Sequence, residues 1–116
     1  MGAPFRTREG SARRAEIGRI LALRPALLLL DEPTAGLDRS ESDALMHLIR
    51  TAAGGAAILV VEHDMRVVAG TDRVVVMDAG RLLAAGRFDD VRSDPEVIAV
   101  YLGSAAASEQ GLERGA

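Results

Sequence analysis

Two uninterrupted apolar runs of strand length, Ala26 to Leu30 and Ala57 to Val61, each stop abruptly at charged residues. Asp31 and Glu32 follow the first, and Glu62, His63 and Asp64 follow the second. Neither run alternates in polarity, which is the pattern of strands covered on both faces in a parallel sheet. Between them, Asp38 and Glu41 have the D-x-x-E spacing of a helix capping box, and Leu45, Leu48, Ile49 and Ala52 follow at helical intervals up to Gly54 and Gly55. Strand, helix and strand in that order define a βαβ unit with a right-handed crossover, and the fold class is α/β.

The flanking segments extend this plan. Upstream, Ser11 reads as a helix N-cap before Ile17, Ile20 and Leu21, and Pro25 ends that helix near Arg24. Residues 1–10 have no period and read as irregular. Downstream, Asp64 caps a short helix from Met65 to Ala69, and a third apolar run, Val74 to Met77, adds a strand. Asp78, Ala79 and Gly80 then turn the chain into Arg81 to Ala85 as a hairpin. Asp94 followed by Pro95 starts a last helix, which Gly103 stops. Residues 104–116 are small and polar and read as a disordered tail.

Composition narrows the function classes. Aromatic residues make up 3% of the chain and the formal net charge is -3, so neither stacking platforms nor a basic excess point to nucleic acid. Cysteine is absent, which removes disulfides and thiolate chemistry. No apolar stretch approaches the roughly 18 residues that suggest a membrane span, and the N-terminus lacks the hydrophobic segment of a secretion signal. The expectation is a soluble or peripheral protein without direct membrane insertion.

Chemistry-bearing residues gather where the strands end. Ligands of open α/β sheets bind beyond the carboxyl ends of the strands, which nominates Asp31, Glu32, His63 and Asp64. Adjacent parallel strands would make them neighbours. A hard carboxylate for Mg²⁺ beside a second carboxylate that polarises a water is what a magnesium-nucleotide site requires.

LLLLDEPTAGLD, Leu27 to Asp38, resembles the Walker B segment and D-loop of ABC-transporter ATP-binding subunits, and VVEHD, Val60 to Asp64, resembles their switch-histidine segment. The 31 positions from Glu32 to His63 are a usual interval for that family. The resemblance implies that Asp31 helps hold Mg²⁺, that Glu32 is the general base toward the attacking water, and that His63 contacts the γ-phosphate of ATP. Asp38 would lie in the D-loop, at the interface between two ATP-binding subunits. Upstream, GSARRAEIGRILALRP resembles the helix after the ABC signature, which makes Gly10 and Ser11 nucleotide-binding candidates at a helix start. Thr7, Arg8 and Glu9 depart from the family, which has Leu, Ser and usually Gly or an aromatic at those positions. DRVVVMDAGRLLAAG and DPEVIAVYLG resemble the end of subunits serving branched-chain amino acid importers and related amide or urea importers.

The implied architecture is a partial P-loop-NTPase-like (ABC ATPase) parallel sheet with flanking helices and a C-terminal β-hairpin and helix, over residues 11–103. A phosphate loop of the form G-x-x-x-x-G-K-[ST] does not occur, and every residue of the Lys+Arg count is arginine. The chain thus looks like the C-terminal half of such a subunit. In the family, the phosphate-loop strand lies between the strands assigned here to Ala57–Val61 and Val74–Met77, so two edges are expected to be unpaired. The resemblance implies ATP and Mg²⁺ as ligands, a second ATP-binding subunit and transmembrane permease subunits as partners, and a cytoplasmic, peripheral location on the inner face of the membrane. The competing reading is a catalytically dead interaction module that pairs with an intact ATP-binding subunit. An ABC-type ATPase of DNA maintenance would carry long heptad coiled coils beside the motif, and the sequence has none.

Overall fold

A computed structural model describes residues 5–101, so the expected tail and the Gly103 helix stop lie outside the described residues. The chain forms two compact units that divide between Val67 and Val68.

The first unit opens with α1, Arg8–Ala22, which starts earlier than the sequence suggested. Thr7, not Ser11, is its N-cap: the Thr7 hydroxyl accepts from the Gly10 amide at 2.9 Å. The same hydroxyl donates to Glu41 Oε2 at 2.8 Å, a partner 34 positions away that local reading could not supply. Ser11 falls in the first turn, its amide donating to the Thr7 carbonyl. Residues 8–10, expected to be irregular, are therefore helical.

Strand β1, Leu27–Asp31, pairs in parallel with β2, Ala57–Val61, from Leu27 opposite Ala57 to Asp31 opposite Val61. The crossover between them carries α2, Arg39–Ala52, whose N-cap is Asp38, accepting from the Glu41 amide at 2.8 Å as expected. The reciprocal half of a capping box is not made, because the Glu41 carboxylate turns to Thr7 instead. A short helix, α3, Met65–Ala69, follows β2.

The core of this unit lies on one face of the sheet. Ile17 of α1, Leu28 and Leu30 of β1, Leu45, Met46 and Ile49 of α2 and Val67 of α3 form it. Leu45 and Ile49 are fully buried, each contributing about 1.5–3 kcal/mol by removal of apolar surface from water. The expectation that both strands are covered on both faces fails here. Leu27 and Leu29 are 54% and 64% exposed, and Leu59 and Val61 are 60% and 55% exposed. The cause is geometric: alternate side chains of a strand point to opposite faces, and the core-forming side chains of α1, α2 and α3 all pack with Leu28 and Leu30.

In the second unit β3, Val74–Asp78, pairs antiparallel with β4, Arg81–Gly86, across a turn in which Ala79 and Gly80 both have positive φ. That is the hairpin read from Asp78, Ala79 and Gly80. Among the described residues β3 is hydrogen-bonded to β4 alone and β2 to β1 alone, so each keeps one unpaired edge, as the resemblance implied. One short helix, α4, Phe88–Val91, was not foreseen. Helix α5, residues 95–101, begins where Asp94 accepts from the Glu96 amide at 2.9 Å. Val74, Val76, Val91 and Val97 are the core here, with Leu83, Phe88 and Tyr101 packed against it.

Candidate functional site

The first turn after β1 carries the site. The ladder with β2 runs one step past the strand, the Glu32 amide donating to the Val61 carbonyl at 2.8 Å. Glu32 then takes φ +46, a left-handed backbone conformation that costs a non-glycine residue about 1–3 kcal/mol and persists only where its surroundings enforce it. The turn closes through the Ala35 amide on the Glu32 carbonyl and the Leu37 amide on the Thr34 carbonyl, both at 3.1 Å. Across the strand pair, His63 Nε2 lies 2.7 Å from Glu32 Oε1. Two residues 31 positions apart thus meet at the carboxyl ends of adjacent parallel strands. Asp31 stands at the end of β1, exposed and opposite Val61.

Three further side chains hold this turn, and sequence reasoning did not assign them to it. Glu62 Oε2 accepts from the Thr34 hydroxyl at 2.8 Å and from its amide at 3.4 Å, and Glu62 Oε1 accepts from the His63 amide at 3.2 Å. Arg13 of α1 donates to the Pro33 carbonyl and, at 3.2 Å, to the Ala35 carbonyl. The available signal was weak: an arginine in a basic pair and a glutamate beside a histidine have no local feature that names a partner 20 or 28 positions away.

Asp64 does not join the Glu32–His63 pair. Its carboxylate accepts from the Arg66 amide at 3.0 Å and pairs with the Arg66 guanidinium at 3.1 Å, which in turn reaches Asp43. Burial pushes the Asp64 carboxyl up, but the Arg66 hydrogen bonds and charge, with the Val67 amide, outweigh it and hold the group below the ordinary aspartate value. A carboxylate lowered in the folded state adds stability above its unfolded-state pKa, and that stability is lost as pH falls through the folded-state pKa. Arg66→Ala is therefore expected to move the Asp64 titration up toward the ordinary value, read by carboxyl ¹³C NMR. An unchanged midpoint would remove Arg66 as the cause.

Gly10 and Ser11 are placed differently. The Gly10 amide is already engaged by Thr7, and the Ser11 hydroxyl lies 3.4 Å from the Phe5 carbonyl. A Cβ on Gly10 would sit 1.7 Å from Glu41 Oε2. Glu41 is 1% exposed, so its carboxylate has no free space into which to swing. Gly10→Ala would gain about 1 kcal/mol of helix propensity but lose about 1–3 kcal/mol to overpacking. The expected net result is destabilisation, checked by urea unfolding; a midpoint at or above that of the parent would contradict it.

Donor chemistry at the strand ends suits magnesium. Asp31 and Glu32 offer hard oxygens, and no group of three or more His, Cys, Asp or Glu side chains among the described residues forms a cage. Mg²⁺ is commonly bound by one or two carboxylates with water and substrate phosphates completing the octahedron, so a single strand-end aspartate fits it. No helix among the described residues is long and apolar enough to cross a membrane.

Known proteins resemble the chain over most of its length. The chain is 32% identical to the ADP conformation of an ATP-binding cassette of an ABC transporter, with a TM-score of 0.71 over 84% of this chain and 41% of that one. Over most of its length the chain is thus similar to a portion of the ATP-binding cassettes of ABC transporters. One stretch resembles the branched-chain amino acid type in particular. The family profile described as branched-chain amino acid ATP-binding cassette transporter matches residues 81–107. The high-affinity branched-chain amino acid transport ATP-binding protein LivG of Salmonella typhimurium is 42% identical over 83% of this chain and 39% of its own length. The zinc import ATP-binding protein ZnuC of Alkalilimnicola ehrlichii is also 42% identical, over 79% of this chain and 37% of its own length. The chain thus spans about two fifths of the length of the curated relatives it matches.

Proposed function

We propose that this chain supplies the hydrolytic strand-end residues of an ATP-binding subunit that powers import of branched-chain amino acids or a related solute. The observation that carries this reading is the 2.7 Å contact between His63 Nε2 and Glu32 Oε1 at the carboxyl ends of β1 and β2. In the proposed reaction Glu32 accepts a proton from the water that attacks the γ-phosphate of ATP. His63 orients the Glu32 carboxylate through Nε2 and reaches the γ-phosphate. Asp31 holds Mg²⁺, directly or through water. When bound, the metal offsets phosphate charge, as in phosphoryl transfer generally. Asp38 caps α2 and faces a second ATP-binding subunit, whereas the Gly10 and Ser11 amides are already taken by Thr7 and are left out of the proposed nucleotide contacts. Permease subunits would dock the assembled protein peripherally on the cytoplasmic face of the membrane.

The solute assignment rests on less of the chain than the ATPase assignment. A zinc-import relative matches as closely in identity as a branched-chain one, so the nucleotide-site stretch cannot choose between solutes. Residues 81–107, matched by the branched-chain profile, favour the amino acid reading.

No sequence of the form G-x-x-x-x-G-K-[ST] is present, so the 116-residue chain by itself should show no saturable binding of a fluorescent ATP analogue. Residues 10–103 placed in a LivG-type subunit, in exchange for its matching stretch, should hydrolyse ATP with Mg²⁺ and support leucine uptake. A folded chimera that binds ATP without turning it over would overturn the ATPase reading. Turnover without leucine uptake would overturn the solute assignment.

A further inference from the structure

We propose that Glu62 is the positioning residue that sets the Glu32–His63 pair, an inference that rests on the reading of that pair as the hydrolytic site. Neither member of the pair is held by burial: the His63 side chain is 76% exposed and that of Glu32 is 43% exposed. An exposed charged contact is too weak to fix two side chains against the entropy of ordering them. Their backbones must therefore be set by something else.

Glu62 is placed to do this. It is the residue after β2, and its two carboxylate oxygens divide between the two arms of the site. Oε2 takes both the hydroxyl and the amide of Thr34, two residues beyond Glu32 in the turn. Oε1 takes the amide of His63. Thr34 is 6% exposed, so its polar groups depend on this protein acceptor rather than on water. One carboxylate thus ties the strained Glu32 turn, at φ +46, to the backbone that carries His63. Arg13 braces the same turn from α1 through the Pro33 and Ala35 carbonyls, but it makes no hydrogen bond to residues 62–64. Beyond the Glu32–Val61 backbone bond, Glu62 is the side chain among the described residues whose hydrogen bonds reach both the Thr34 turn and the His63 amide.

A test on the whole 116-residue chain needs no nucleotide. The sequence has two histidines, His47 and His63, so ring-selective ¹³C labelling gives two NMR signals, with His47 as the internal control. Glu32→Gln removes a charge 2.7 Å from His63 Nε2 and should shift the His63 signal while leaving His47 in place. In a Glu62→Ala background the same Glu32→Gln change should shift His63 at least about threefold less, the signature of lost coupling in a double-mutant cycle. Glu62→Gln keeps an acceptor oxygen for Thr34 and should recover most of the response. If Glu62→Ala does not fold, Thr34→Val removes the buried hydroxyl donor alone and should weaken the response in the same direction. Full His63 response to Glu32→Gln in the Glu62→Ala or Thr34→Val background would overturn the proposal, as would no response in the parent chain. A chimera that fails to hydrolyse ATP while this coupling persists would sink the ATPase reading and leave the positioning role of Glu62 standing.

Discussion

Glu32→Gln in the LivG-type chimera is expected to slow ATP turnover by about 10²–10⁴-fold, the span typical of losing one general base, with nucleotide binding retained. Glutamine has nearly the shape of glutamate, and its amide oxygen can still accept from His63 Nε2, now 2.7 Å from Glu32 Oε1. The strained backbone at φ +46 is no worse for glutamine than for glutamate. What the substitution would remove is the basicity that the proposed reaction uses to take a proton from water. Binding and turnover should therefore separate, whereas a variant that merely disturbed the turn would lose both. Measured steady-state hydrolysis equal to that of the parent chimera would mean that the proton leaves by another route and that Glu32 has no catalytic role. A companion variant, His63→Ala, should lower turnover less, since it would remove the proposed orienting and phosphate contacts but leave the base in place.

The site was legible in sequence to the extent that its parts are local. The leucine run ending in Asp31 and Glu32, the second run ending before His63, and the Asp38 cap are each encoded within a few neighbouring residues; the second strand and the cap appear as read, and the first strand runs Leu27–Asp31 rather than Ala26 to Leu30. Parallel pairing of β1 and β2 then brings the strand ends together without further information. Features that depend on a distant partner were not legible. Thr7 and Ser11 are both good caps by type, and only the buried Glu41 carboxylate decides between them. Glu62 has no local feature that names its partner Thr34, 28 positions away. The left-handed backbone at Glu32 has no marker in residue type, since glutamate is not a residue that favours it. Apolar runs without alternation also overstated coverage. They record that a strand can be buried on both faces, whereas the side chains of α1, α2 and α3 pack on the face of Leu28 and Leu30.

That uncovered face leads to the second large effect: the 116-residue chain should self-associate in solution, and one charge placed on β2 should release it. Leu29 and Leu59 are direct neighbours in the β1–β2 register and are 64% and 60% exposed. Leu27 and Val61 extend the same side of the sheet, so the apolar surface is contiguous rather than scattered, and contiguous patches of this kind promote association. Among the described residues strand β2 also has one unpaired edge, and its sequence AILVV contains no charge, proline or glycine to discourage strand addition. Leu59→Lys alters both features at once, placing a charge in the centre of the exposed face and on the edge strand. Because Leu59 is outside the core, the cost to folding should stay near the ±0.5 kcal/mol or so usual for surface changes. Sedimentation velocity should then show oligomers for the parent chain and a predominantly monomeric species for Leu59→Lys, with the circular dichroism of the two alike. The control is Ile49→Ala: Ile49 is fully buried in the core beside Leu45, and its truncation should cost about 2–5 kcal/mol and unfold the first unit rather than disperse it. A parent chain that sediments as a single monomer and melts in one sharp transition would show that the exposed leucines of β1 and β2 carry no tendency to associate.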